Sequence, residues 1–322
     1  MRNVCLFLVF SLILSLSTER SVRLGVGAET TILTSSKDGD TIAFGEFLLE
    51  NNVWGGPSEP HMQTIGVYAG TLRWSWSRLS PSSNKPYYPE VIYGKKPGRT
   101  SSTTSNLPAY LGDLSTIEVS LDASTRAEGK YNLAFDLWIT GEVPSRESWV
   151  RKEDITHEVM IWLLWTPGLE ARNIHGTVDD GYNTYHHRTH ASGDWLWRFH
   201  QFTIAKQGIP SRINMTAFFE HLTNDGEDLK VLISIELGNE VWYGTGATTV
   251  NRMDVRITRK TAPDAITPAI ATFTLICMVI LGATLAWSIV KSRRAPNVHA
   301  RKSIHAPACC RGFSTVLHPD AG

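Results

Sequence analysis

Cysteine is scarce in this 322-residue chain and absent from its middle: Cys5, Cys277, Cys309 and Cys310 are the four present. The long stretch between the first two can form no disulfide, offers no thiol nucleophile and holds no thiolate-ligated zinc. Roughly 240 residues bury enough core to fold without cross-links. Net charge is also absent, with 31 Lys and Arg against 31 Asp and Glu. No basic patch interleaved with aromatics appears in the middle of the chain, which excludes a nucleic-acid surface there. The chain lacks an internal repeat, a Gly-x-Ser-x-Gly elbow and a glycine-rich phosphate loop, so it offers no solenoid, no hydrolase triad of that type and no nucleotide cradle.

Charge is missing in two further places. Residues 4–16 are apolar apart from Ser11 and Ser15 and follow Arg2, the pattern of a secretory signal too short to span a bilayer. Residues 1–28 are read as that signal, with cleavage after Ser17 or Ala28. Residues 268–290 hold no charged side chain and would make a helix of ~34 Å, enough for one tilted span. Lys291, Arg293 and Arg294 follow at once and place the C-terminus in the cytosol. The expectation is a single-pass type I protein of the cell membrane, with residues 29–262 outside and 291–322 as a basic cytosolic tail. That tail carries six Lys and Arg against Asp320 alone, which suits anionic inner-leaflet lipid.

What fills 29–262 is a succession of short β-branched and aromatic runs, separated by Gly, Pro, Asn and Ser. Strands are expected near 41–54, 63–76, 90–93, 116–121, 131–140, 156–165, 195–205, 229–237 and 247–258, giving an all-β sandwich or barrel in one domain. One helix breaks the series. Met215, Phe218, Phe219 and Leu222 follow an i, i+3, i+4, i+7 stripe, Asn214 stands where an N-cap would, and Asn224-Asp225-Gly226 ends it. Asn214 also opens the glycosylation sequon Asn214-Met215-Thr216, and the two uses compete for one side chain.

The run 156–165 has a face of Val159, Ile161 and Leu163 and an opposite face of Glu158, Met160 and Trp162. A carboxylate on an otherwise buried strand costs several kcal/mol unless paired, so Glu158 needs a partner or a task. A second carboxylate, Glu240, lies among glycines with Trp242 on its own face. Two glutamates on separate strands beside aromatic platforms fit glycoside hydrolysis, which needs one carboxylic acid to protonate the leaving oxygen and one carboxylate to attack or activate water. The chain has 11 Trp, and Trp and Tyr give flat apolar surfaces for sugar rings. Trp74 and Trp76 alternate onto one face, as do Asp136 and Trp138. His186, His187 and His190 lie in a polar stretch without a nearby carboxylate at helical spacing, and no metal is expected there.

Several motifs occur together and in order: Asn51-Asn52-Val53-Trp54-Gly55, Trp74-Ser75-Trp76-Ser77, Tyr88-Pro89-Glu90-Val91, Ala134-Phe135-Asp136-Leu137, His157-Glu158-Val159-Met160 and Gly238-Asn239-Glu240-Val241-Trp242-Tyr243-Gly244. In this the chain resembles glycoside hydrolase family 12, over roughly residues 42–257. The resemblance implies a jelly roll of two antiparallel sheets with a concave cleft, one packed helix and a retaining mechanism on β-1,4-glucans. Glu158 would be the nucleophile, Glu240 the general acid and base, and Asp136 a supporting acid. Trp54 and Trp76 would stack on substrate and Met160 would line the cleft; Asn52, Trp138 and Trp242 complete the candidate substrate-binding set. His157, Asn239 and Val241 depart from the Tyr, Thr and Pro usual there. No cofactor is implied, the partner is a β-glucan such as xyloglucan, and a monomer is expected. A catalytically silent glucan-binding protein and a transglycosylase are the competing readings.

Overall fold

The computed structural model describes residues 20–23, 32–53, 61–79, 85–189, 196–261 and 266–293. Residues 1–261 and 262–322 form two separate compact units. The first is the expected sandwich. Its sheets share β9 (Leu114–Thr140), a 27-residue strand that pairs in one sheet as far as Tyr131 and in the other from Asn132 onward. The outer sheet runs β2 (Ile32–Ser35), β5 (His61–Tyr68), β6 (Thr71–Arg78), β16 (Val241–Arg259), β9 and β14 (Arg212–Asn214). β1 (Arg20–Arg23) adds to the far end of β16, so cleavage after Ser17 would keep this strand and cleavage after Ala28 would remove it.

The inner sheet runs β11 (Asn173–Asp179), β12 (Thr184–Thr189), β13 (Arg198–Ile204), β10 (Ile155–Trp165), β9, β15 (Val231–Gly238), β7 (Glu90–Gly94), β4 (Phe47–Glu50) and β3 (Thr41–Phe44). The short β8 (Ala109–Tyr110) pairs with the start of β15. One pairing departs from the expected antiparallel order: β10 and β13 run parallel, because β11 and β12 fold outward before the chain returns. The expected strands 41–54 and 63–76 are hairpins instead. In the second the chain reverses at Ala69-Gly70, where both residues take positive φ, as a tight twisted hairpin needs. The expected strands 116–121 and 131–140 are parts of the single β9.

Between the sheets lies a continuous apolar core. Val119, Leu121, Met253 and Val255 of the outer sheet meet Phe135, Leu137, Val159, Ile161 and Ile235 of the inner one. The expected helix is α1 (Thr216–Asn224), and Phe218, Phe219 and Leu222 are its buried face. Met215, not Asn214, is its N-terminal flank, yet Asn214 Oδ1 still accepts the Thr216 N–H at 3.2 Å. This turn bond uses the amide oxygen of Asn214, whereas a glycan would attach to its nitrogen.

Where β9 and β16 bend past one another, Gly129 faces Gly244. Both have positive φ, and a Cβ on Gly244 would stand 2.0 Å from the Glu128 carbonyl oxygen. Gly244→Ala is therefore expected to destabilise the domain by about 3 kcal/mol or more, read as a lowered denaturation midpoint.

The second unit contains α2 (Ile266–Arg293), which carries the expected span. Its side chains are described only for 277–290, where Met278, Leu281, Leu285 and Trp287 are exposed. Among the described residues no helix is long and apolar enough to cross a membrane; the side chains of 268–276, in the N-terminal part of the expected span, are not among those described. The signal 1–28, apart from β1, and the tail beyond Arg293 lie outside them as well.

Candidate active site

Strand register decides which side chains meet on the solvent face of the inner sheet. One row across the strands reads Gly94, Ser234, Trp138, Glu158 and Phe199. The next reads Leu48, Ile92, Glu236, Asp136, Met160 and Gln201. A third begins Glu50, Glu90, Gly238 and Ala134. Period-two alternation on five strands, one carboxyl from each, thus gathers Glu50, Glu90, Glu236, Asp136 and Glu158 on one face. Glu240 follows directly from β15, just beyond Gly238.

Each glutamate of the expected pair is held by a neutral N–H donor. Trp197 Nε1 donates to Glu158 Oε2 at 2.5 Å. The Trp197 ring meets Trp138 edge to face, 5.4 Å between centroids. Glu240 is held at three atoms by Asn132. Asn132 Nδ2 donates to Glu240 Oε2, Asn132 Oδ1 accepts the Glu240 N–H at 2.9 Å, and the Asn132 N–H donates to the Glu240 carbonyl at 3.0 Å.

The two departures beside Glu240 belong to this support. Asn239 Oδ1 accepts from Trp74 Nε1 and Thr248 Oγ1, and Asn239 Nδ2 donates to the Asn132 carbonyl at 2.6 Å. Val241 exchanges both backbone bonds with Tyr87, and its N–H gives one of them, at 2.8 Å. Proline has no such donor. The third departure, His157, points away from the carboxyls and stacks on His200.

Crowding sets the protonation. Burial pushes Glu158 up to about 8, with the charge of Glu240 adding to it and Trp197 opposing. Burial likewise pushes Glu240 up to about 7, against the hydrogen bond from Asn132. Asp136 is raised well above the usual carboxylate range by burial first, then by Glu158, Glu236, Glu90 and Glu240. Glu236 is raised by burial and by Glu90, with Lys96 opposing. Asp136 responds to the charges of Glu158 and Glu240, and Glu158 to that of Glu240, which places the three in one electrostatic neighbourhood.

This has a consequence for stability. Burial lowers His157, His187 and His200, so below about pH 6.5 they oppose the carboxyls in the proton balance. Between about pH 7 and 8 those histidines are mostly neutral in both states. The folded chain then still holds carboxyl protons that the unfolded chain has released, so its stability falls as pH rises. The thermal midpoint is expected to drop across that window, and Glu158→Gln should flatten the decline.

At the far end of the trough, Lys96 bridges Glu90 and Glu50, and Arg99 pairs with Glu50 at 3.0 Å. Asn52 Nδ2 donates to Glu90 Oε1 at 2.9 Å, which places this candidate among those charges. A cavity of about 300 Å³ opens there, lined by Glu50, Lys96, Arg99 and an exposed Trp149, among others.

Not every expected substrate contact joins the trough. Met160 lies in it and is 4 % exposed; Trp138 is half-buried beside Glu158. Trp76 belongs to the outer sheet and is also 4 % exposed, enclosed between Tyr131 and Gly246, so little of its ring is open to a ligand. Trp242, half-buried at the start of β16, has Lys130 Nζ 5.5 Å from its ring centroid. Trp54 lies outside the described residues. Asn132, Trp197 and Lys96 were not foreseen. A half-buried Trp or Asn has many uses, and only register shows which carboxyl each one faces.

Comparison with known proteins points the same way. No family model matches the chain. Endoglucanase S of Pectobacterium parmentieri is 27 % identical over 235 residues, covering 69 % of this chain and 88 % of that protein. A family 12 xyloglucanase from Bacillus licheniformis superposes with a TM-score of 0.61 at 26 % identity, covering 70 % of this chain and 99 % of that one. Endoglucanase cel12A from Rhodothermus marinus shares the fold, with a TM-score of 0.59 at 24 % identity and coverage of 72 % and 100 %.

Proposed function

The chain belongs to glycoside hydrolase family 12, and from that premise we infer that it hydrolyses β-1,4-glucan chains internally, with xyloglucan or a related β-glucan as substrate. One observation carries the reading. Glu158 feels the charge of Glu240, 82 positions away in sequence, across one trough, and each is fixed by its own N–H donor. A row of carboxyls and aromatics along an open sheet face suits a polymer, which enters a groove from the side.

The reaction proposed is double displacement. A Glu158 carboxylate oxygen attacks the anomeric carbon and the glycosidic C–O bond breaks. The departing oxygen takes the proton from Glu240. Water then adds to the glycosyl-enzyme, giving its proton back to Glu240 as Glu158 leaves. Trp197 favours the charged form of Glu158 by donating to it. Asp136, itself raised well above the usual carboxylate range by burial and by the charge of Glu158, favours its protonated form beside Glu158.

We place this domain outside the cell, held by the apolar segment 268–290 with the basic tail in the cytosol. Such an arrangement keeps the trough facing polysaccharide at the surface. Incubation of the purified full chain with xyloglucan, carboxymethyl cellulose and mixed-linkage glucan should release reducing ends, with a rapid fall in viscosity. Binding without new reducing ends would instead leave a glucan-binding protein. Chain-length redistribution without new reducing ends would indicate transglycosylation.

A further inference from the structure

On the core side of the inner sheet, away from the carboxyl trough, histidines from three elements converge at its edge. β11 brings His175, β12 brings His187, and the last turn of α1 brings His221, with Asp225 as its C-cap. The Asp225 Oδ2 atom lies 3.3 Å from His221 Nε2, 3.6 Å from His175 Nε2 and 3.9 Å from His187 Nδ1. His187 Nδ1 and His221 Nε2 are 3.1 Å apart.

We propose that His175, His187, His221 and Asp225 form a zinc site that fastens helix α1 to the β11–β12 edge of the sheet. Separations of 3.6 and 3.9 Å are too long for hydrogen bonds. They approach the spacing of metal ligands: a tetrahedral zinc with bonds of ~2.05 Å sets its ligand atoms about 3.3 Å apart. Four measured separations thus scatter around the edge of that tetrahedron, and the exposed His175 ring is placed to swing inward. Three imidazoles with one carboxylate are borderline ligands that suit zinc.

Backbone features serve the same convergence. The β11–β12 pairing slips between Ile174 and Gly176, making His175 the extra residue of a bulge, a device that re-aims a side chain. A Cβ on Gly176 would stand 3.0 Å from His221 Cε1, so glycine lets β11 approach the helical imidazole. Asp225 adds a negative charge where the helix dipole is already negative, which favours a cation there. The buried His187 ring stacks on Phe202, 4.6 Å between centroids, and its Nε2 lies 3.4 Å from His200 Nδ1, an outer partner that fixes its orientation. The partly exposed His175 and Asp225 leave an entry path from solvent.

The neighbouring group His157, His200 and Glu227 has a similar spread and is the main rival. Its Glu227 is already engaged by Arg198, which leaves less negative charge for an ion.

The test uses the full chain, stripped with chelator and titrated with zinc ion, with bound metal counted by elemental analysis. One equivalent is expected, held at least about 100-fold more weakly in Asp225→Asn and in His221→Asn, more than loss of an outer partner costs. Glu227→Gln should keep it. Cobalt in place of zinc should give the intense visible bands of four-coordinate cobalt in the unaltered chain, a readout independent of any variant's folding. No bound metal in a chain with native near-ultraviolet dichroism would overturn the proposal. So would a six-coordinate cobalt spectrum, or loss of metal in Glu227→Gln with retention in Asp225→Asn.

Discussion

Glu158→Ala is expected to reduce glucan hydrolysis by at least about 10³-fold, because the glycosyl-enzyme forms on the carboxylate it removes. The carboxylate removed is the one that Trp197 addresses at 2.5 Å, so the variant also loses that hydrogen bond. Added azide distinguishes the role from mere structural damage. With Glu158 gone, azide occupies the nucleophile's side and attacks an activated aryl glycoside once, giving a glycosyl azide of inverted configuration. Recovery of turnover with that product would identify Glu158 as the nucleophile. A retained azide product, or undiminished hydrolysis without azide, would refute the assignment.

Glu240→Ala is expected to behave differently although it lies in the same trough. Loss of the proton donor should cost about 10²–10⁴-fold on polymer, whose leaving hydroxyl needs protonation. Substrates with a readily departing phenolate should lose far less in the first step. Azide then intercepts the glycosyl-enzyme from the opposite side and yields the retained product. In the unaltered chain Glu240 must be protonated and Glu158 ionised to act, and because Glu158 holds its proton more tightly, at about 8, than Glu240 does, at about 7, the active form is the minority singly ionised state. The expected profile is a narrow bell between these values, its limbs belonging to the coupled pair and not to single residues. An optimum near pH 4.5 would contradict the crowded, buried trough. An alkaline limb unchanged in Glu240→Ala would remove that residue from the role of acid.

The sequence made the trough legible because strand period fixes the side on which a residue points. The alternation of Glu158 and Met160 against Val159 and Ile161 required opposite faces, and both faces are realised in β10. The helical stripe of Phe218, Phe219 and Leu222 was equally determined, since only a 3.6-residue period collects those positions. The run 268–290 was marked by the absence of charge alone. Hairpins were harder: Ala69-Gly70 reverses the chain inside what reads as one long apolar run.

Pairing between distant strands was not available from local pattern. The register that puts Asp136 beside both Met160 and Glu236 depends on the order β10, β9, β15, which chain entropy and core packing settle together. For the same reason Asn132 could not be connected to Glu240, nor Trp197 to Glu158. The resemblance implies that Trp76 stacks on substrate, yet it is enclosed, because Gly246 on the paired strand lets its ring settle inward. His187 looked like one of three loop histidines without a carboxylate partner. The folded chain supplies that partner from the end of α1, across the sheet edge. Composition and period thus determined which residues face which way on each element; only tertiary pairing decided which of them meet, because hydrogen-bond register is a contact between segments that neither carries alone.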